Sequence, residues 1–229
     1  MKTVIITGAS GNMGQAVVQK FIDEGYKVIA TVVANDPVQI NFPKVSFEKY
    51  EVDLMDETDA QKFAASIILK YGAVDAAVLT VGGFAMGNII DTKTSDITKQ
   101  FQLNFETAYN IAQPIFTQMM KQQNGRIFLI GSKPGLDAKA GKGMVAYSLA
   151  KSLIFHLADL MNEEAKGCNV VTSVVVPSTI DTGQNRKSMP DADFSSWVQP
   201  AAIAEAIYFY CSDAAKALRE PVIKIYNNA

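Results

Sequence analysis

The stretch Thr7-Gly8-Ala9-Ser10-Gly11-Asn12-Met13-Gly14, directly behind the apolar run Val4-Ile5-Ile6, decides how the rest of this chain is read. A short apolar run reads as a buried strand, and Gln15–Glu24 reads as a helix stopped by Gly25. Three glycines at three-residue intervals let the backbone turn sharply from strand into helix. They also remove the side chains that would keep a phosphate away. Exposed amide N–H groups and the positive end of the helix dipole then attract an anion. A dinucleotide pyrophosphate is held in this way at the first turn of a doubly wound sheet. Gly8, Ser10, Asn12, Met13 and Gly14 are the candidate contacts. The spacing is G-x-x-G-x-x-G and not the commoner G-x-G-x-x-G, so the run alone is also compatible with a tight turn that binds nothing.

Working outward, apolar and β-branched runs at Lys27–Val33, Val45–Leu54, Val74–Val81, Arg126–Ser132, Asn169–Ser178 and Val222–Tyr226 predict six further strands. Helical patterns separate most of them, over Glu57–Tyr71, Ser95–Gln122, Gly143–Lys166 and Pro200–Lys216. Strands alternating with helices imply parallel pairing, right-handed crossovers and helices on both faces. The expected fold is α/β, a doubly wound (Rossmann) parallel seven-stranded sheet in one domain spanning 1–229. The length of 229 residues suits one domain with a sizeable core.

Composition narrows the function classes. With 48% apolar and 19% charged residues the chain has the balance of an ordinary globular protein. A net charge of −2 and scattered arginines leave no footprint for nucleic acid or an anionic membrane. No apolar segment approaches a membrane span, and the N-terminal run is too short for a signal peptide, so a cytoplasmic protein is expected. Cys168 and Cys211 have no metal-ligand spacing and read as buried free thiols in a reducing compartment; no metal is expected. The helices about 95–122 and 143–166 carry more apolar residues than one stripe needs, which predicts a homodimer or homotetramer built through this pair. His156, the sole histidine, is expected in the core or in that interface.

Tyr147-Ser148-Leu149-Ala150-Lys151 opens the helix after the fifth strand. Residues i and i+4 share a helix face. A Lys cation at ~5 Å and an effective dielectric of ~20 favours a phenolate by about 3 kcal/mol. At about 1.4 kcal/mol per unit, that would lower the Tyr147 pKa by about two units, toward the range of general acid–base work.

A glycine-rich first turn with Y-x-x-x-K after the fifth strand resembles the short-chain dehydrogenase/reductase family over nearly the whole chain. The resemblance implies NAD(H) or NADP(H) as cofactor, a small carbonyl, imine or alcohol as substrate, and Tyr147, Lys151, Ser132 and Asn104 as the catalytic group. It implies further cofactor contacts at Asp53-Leu54, at Gly82, at Tyr147 and Lys151 themselves, and at Pro177, Ile180 and Thr182. Departures are Asn12 where most members have Gly, Thr80-Val81-Gly82-Gly83 in place of Asn-x-Ala-Gly, and fifteen residues from Ser132 to Tyr147 where about thirteen are usual, with Lys139–Gly143 expected to loop out. The second strand ends in Asn35-Asp36 with no Arg nearby, leaving the choice between the two dinucleotides open with a lean to NAD. Val81–Phe84 and Asp181–Trp197 resemble the dihydropteridine reductases within that family, and a segment about 179–199 is expected to cover the substrate. Ser132, which those reductases lack, argues for a carbonyl. In that segment Arg186 reads as a solvated or anion-binding side chain, and Phe194 and Trp197 as core anchors. A dinucleotide-sensing regulator with the same fold is the alternative; it has no need of Tyr147, Lys151 and Ser132 together.

Overall fold

A computed structural model describes residues 1–38, 40, 42–43 and 45–228. Seven parallel strands form one sheet: β1 (Thr3–Thr7), β2 (Lys27–Val32), β3 (Phe47–Glu51), β4 (Ala76–Leu79), β5 (Asn124–Ile130), β6 (Asn169–Pro177) and β7 (Val222–Ile225). Their order is β3-β2-β1-β4-β5-β6-β7, so the chain reverses its direction of travel between β1 and β4. Helices α2 (Glu57–Tyr71), α4 (Thr107–Gln122) and α6 (Val145–Glu164) cover one face of the sheet. Helices α1 (Asn12–Asp23) and α8 (Pro200–Cys211) cover the other.

The strands are buried on both sides, which is why they read as continuous apolar runs and not as alternating ones. In β1, Ile5 packs under α2 and α4 while Val4 and Ile6 pack under α1 and α8. In β5, Ile127 and Leu129 take the first face and Phe128 the second. Helix α2 has the bounds its sequence predicts, because both ends are encoded locally: Asp56 caps the first turn by accepting from Thr58 and Asp59, and Gly72 closes the last at φ +73°.

Other boundaries shift for tertiary reasons. Helix α1 begins at Asn12, not Gln15, so Gly14 lies inside its first turn. A Cβ there would come within 2.2 Å of the Gly8 carbonyl oxygen, so only glycine lets α1 pack this closely on the turn. Gly8 itself is at φ +63°. Strand β3 is trimmed to five residues, and Val45, expected at its start, is exposed in a turn. The helix expected over 95–122 is broken into α3 (Thr94–Phe101) and α4 by a π-helical turn at Gln102–Glu106 that carries Asn104. Short helices α5 (Lys133–Leu136) and α7 (Gly183–Ser188) follow β5 and β6. The last expected helix stops at Cys211, before a 3₁₀ turn at Asp213–Ala215. Both cysteines are free and half-buried, not fully buried; desolvation pushes the Cys211 thiol up to about 12.

The contact between α1 and the first turn sets a test. Gly14→Ala should lower stability by about 1–3 kcal/mol, as overpacking does in a closed contact, whereas Gly25→Ala, at φ +75° with open space around it, should add strain without a clash. Urea unfolding of the two variants checks this; equal losses would remove the steric role of Gly14.

Candidate active site

In a doubly wound sheet the crevice lies beyond the carboxyl ends of the strands where the order reverses, here beyond β1 and β4. The glycine turn follows β1 and Thr80–Gly83 follows β4. The two are fastened together. The Thr80 hydroxyl donates to the Thr7 carbonyl at 2.7 Å, and the Thr80 N–H donates to the Thr7 hydroxyl at 3.1 Å. These threonines are functional positions that sequence reasoning passed over. The available signal was a Thr at the end of each of the two strands that flank the reversal.

The glycine turn has the features an anion needs. Gly11 is the N-cap of α1 and supplies no side-chain acceptor, and the first intrahelical bond of the turn runs from the Gln15 N–H to the Gly11 carbonyl. The N–H groups of Asn12, Met13 and Gly14 are therefore left for a ligand at the positive end of α1. At the edge of the turn, the Asp36 carboxylate accepts from the Val38 N–H at 2.8 Å and lies against the Ser10 hydroxyl; both hold it below the usual carboxylate range. Asn35 beside it is left-handed, at φ +58°. Asp53 is exposed beyond β3, accepting from Met55 N–H, while Leu54 is buried and its carbonyl accepts from Asn110.

The four expected catalytic residues converge. Tyr147 and Lys151 lie one turn apart on α6, Ser132 caps α5 just past β5, and Asn104 sits in the π-helical turn. The loop between Ser132 and Tyr147 absorbs its extra residues in turns over 137–143, so the Ser132 hydroxyl lies beside the Tyr147 phenol. Lys151 is 4% exposed, and its ammonium donates to the Ile130 carbonyl at 2.8 Å. Asn104, 1% exposed, accepts from the Gly83 N–H and donates to the Gly83 carbonyl, both at 3.0 Å, with Gln100 also accepting from it. Between them stands Gly82. A Cβ on it would lie 2.7 Å from Asn104 Oδ1 and 3.2 Å from Lys151 Nζ. An alanine there would press on the ends of both side chains, so the glycine gives Asn104 and Lys151 their present placing.

The electrostatics differ from the sequence expectation. Burial raises the Tyr147 pKa, and the Ser132 hydroxyl opposes this with a smaller effect. Lys151 is not among the groups that lower it: its ammonium donates to the Ile130 carbonyl, and burial is the largest influence on the phenol. Burial also lowers Lys151 itself, to about 8.

The segment after β6 is pinned from several sides. Pro177 ends β6, and Ile180 pairs with Val198 as an isolated parallel bridge. The Thr182 hydroxyl is used as the cap of α7, accepting from Asn185 N–H at 3.1 Å. Arg186 is exposed, as the solvated reading expects, but it is not an open anion site: it grips Asp181 through two bonds of 2.6 and 2.7 Å and lies over the Phe194 ring, holding the Asp181 carboxyl down at about 2. Trp197 is buried against Phe194, which is itself only half-buried. His156 is exposed on α6 and not in the core.

With this geometry in view, comparison with known proteins decides the family. Residues 2–193 match the family described as short chain dehydrogenase. The chain belongs to that family. This dehydrogenase is therefore an oxidoreductase that uses NAD(H) or NADP(H), and its glycine turn, uncapped helix and Cβ-free Gly82 fit such a dinucleotide. It is 24% identical to a 3-oxoacyl-[acyl-carrier-protein] reductase, FabG, of Thermotoga maritima, over 98% of this chain and 96% of the relative. It is 27% identical to the cyclic-di-GMP-binding biofilm dispersal mediator protein of Escherichia coli, over 84% of this chain and 78% of the relative. Among solved structures, that of ElxO with NADP bound superposes with a TM-score of 0.88 at 23% identity, covering 98% of this chain and 96% of the other.

The buried amine makes stability depend on pH. The unfolded dehydrogenase holds the Lys151 proton up to about 10.5 and the folded one only to about 8. Between those values the unfolded state binds more protons, so stability rises with pH; below 8 both states are protonated and the gain is absent. Relative to Lys151→Met, the wild type without cofactor should gain about 2–3 kcal/mol across this window. Urea unfolding at stepped pH measures it, and a constant difference would show that Lys151 titrates normally.

Proposed function

We propose that this dehydrogenase reduces the carbonyl group of a small ketone or aldehyde, with Tyr147 as the proton donor. The observation that carries this is the Tyr147 phenol facing the Ser132 hydroxyl, one helical turn from a buried Lys151 and at the crevice end of the sheet. A phenol whose pKa is raised by burial is protonated at neutral pH, so the proton that reduction needs is in place, and it moves as negative charge builds on the substrate oxygen. The reduced nicotinamide supplies the hydride. Ser132 donates a hydrogen bond to the substrate oxygen, Tyr147 transfers its phenolic proton to that oxygen, and the product is an alcohol. Lys151 would hold the nicotinamide ribose and return a proton to the phenolate, while Asn104 keeps the Gly82-Gly83 segment against Lys151. Gly8, Ser10, Asn12, Met13 and Gly14 hold the pyrophosphate; Asp53 and Leu54 border the adenine; Gly82, Pro177, Ile180 and Thr182 line the nicotinamide end.

The reductase name of the Thermotoga relative supports carbonyl chemistry. The likeness of Val81–Phe84 and Asp181–Trp197 to dihydropteridine reductases supports a dihydropterin as a further substrate to try, and Ser132 weighs for the carbonyl. The alternative of a dinucleotide-sensing regulator draws on the name of the Escherichia relative, but gives no purpose to the gathered Tyr147, Ser132 and Lys151. The one-domain reading, with residues about 179–199 over the substrate, and a cytoplasmic setting complete the proposal.

Tyr147→Phe should lose about 10²-fold or more in turnover while dinucleotide affinity, read by fluorescence titration, stays within about twofold. Undiminished turnover would remove Tyr147 from the chemistry and the proposal with it. Self-association is proposed through α3–α4 and α6: Leu149, Leu153 and Leu160 are exposed on one stripe of α6, and Phe101, Phe105 and Tyr109 stack along α3, the π turn and α4. Leu153→Glu should convert the homodimer or homotetramer to a smaller species by light scattering. Wild type already running as a monomer would overturn this.

A further inference from the structure

The crevice is bordered by the loops after β4, β5 and β6, and each exposes a large apolar side chain. After β4, Phe84 is 61% exposed, Met86 70%, Ile89 76% and Ile90 90%. After β5 there is Leu136 on α5, and after β6 Met189 at the end of α7, each about 40% exposed. Side chains of this kind scattered singly need no explanation, but a run of four on one loop beside the reactive group does.

The loop after β4 is held against the catalytic helix. Gly87 N–H donates to the Gly143 carbonyl at 2.8 Å, and Val145 N–H donates to the Gly87 carbonyl at 2.9 Å, so the loop pairs with the residues that lead into α6. The Phe84 ring meets the Tyr147 ring edge-on, with centroids 5.2 Å apart. The Met86 methyl lies 3.9 Å from where a Cβ on Gly143 would be. The apolar run thus starts against the Tyr147 ring and continues along the loop from there. Farther along, Asn88 accepts from the Ile90 and Asp91 N–H groups, which fixes a turn that leaves Ile89 and Ile90 in solvent.

We propose that the substrate is a carbonyl compound with an extended aliphatic body, whose chain lies on the ledge formed by Phe84, Met86, Ile89 and Ile90. This rests on the carbonyl-reductase reading and adds the class of compound. A flat polar heterocycle could stack on Phe84 but would leave Met86, Ile89 and Ile90 uncovered. An aliphatic chain gains from each of them in turn. Phe84 then has two roles in one position: it shields the Tyr147 phenol from water and provides the first rung of the ledge.

The test uses the full-length enzyme with NADH and NADPH in turn and methyl ketones from butanone to decanone. The expected result is a KM that falls about two- to threefold per methylene, less than for full burial because the ledge covers one side, with kcat nearly constant. The double variant Met86→Ser, Ile89→Ser alters exposed side chains outside the catalytic group. It should flatten the chain-length dependence of KM. Calorimetric titration of the enzyme–NAD(H) and enzyme–NADP(H) complexes with unreactive primary amides of the same lengths reads the same slope without turnover. Absence of turnover on every ketone would defeat the carbonyl reading alone, since the amide series still reads the ledge. No chain-length dependence in the amide affinities of the wild type would overturn the ledge. An unchanged slope in the double variant would also overturn it, and a change of oligomer size alongside that unchanged slope would make the loop a contact between copies of this chain.

Discussion

The site depends on one buried ammonium. Lys151 is almost without solvent, its ammonium donating a hydrogen bond to the Ile130 carbonyl at the end of β5, with Gly82 against its nitrogen. A charge in such a place costs free energy unless neighbours replace the lost water, and a single carbonyl is a thin replacement, which is why its pKa falls to about 8. A Cβ at residue 82 would press on the Lys151 nitrogen on one side and on the Asn104 amide on the other. Burial of the amine, the glycine and the asparagine are one arrangement.

That arrangement in turn needs the sheet. Ile130 ends β5, Gly82 follows β4 and the glycine turn follows β1, and these strands are neighbours in the order β1-β4-β5. Parallel pairing puts all three carboxyl ends on one side, so groups far apart in sequence meet there. Thr7 and Thr80 tie two of those ends together directly. The π-helical turn makes a comparable adjustment on the helical side, carrying Asn104 in an irregular turn where it reaches Gly83. The segment after β6 is held by the Asp181–Arg186 pair and the packing of Phe194 on Trp197, so the outer wall of the crevice has its own anchors.

Much of this was legible in the sequence where the signal is local. The strands announce themselves as apolar runs, and α2 carries both its cap and its stop, so its bounds could be read without the fold. The pairing of Tyr147 with Lys151 on one helix face follows from helical spacing alone. What failed depended on partners distant in sequence. The predicted lowering of the Tyr147 pKa assumed that the Lys151 charge faces the phenol, whereas the Ile130 carbonyl takes it and burial dominates. Arg186 is a nearer case: exposed as read, it is no open anion site because Asp181, five residues back, and the Phe194 ring take its guanidinium. Thr80 looked like a lost asparagine, since nothing local shows that its hydroxyl reaches across to β1.

By itself, then, the sequence determined the succession of strands and helices, the glycine turn and the residues from which a proton donor could be made. Periodicity, glycine spacing and helical pitch act over a few residues, and they are written in order along the chain. Only the tertiary structure decided the protonation preferences of Tyr147 and Lys151, the need for glycine at position 14, and the placing of an apolar loop beside the phenol. Desolvation and steric exclusion depend on which atoms surround a group in space. Those atoms come from strands and loops that are brought together only when the sheet is complete.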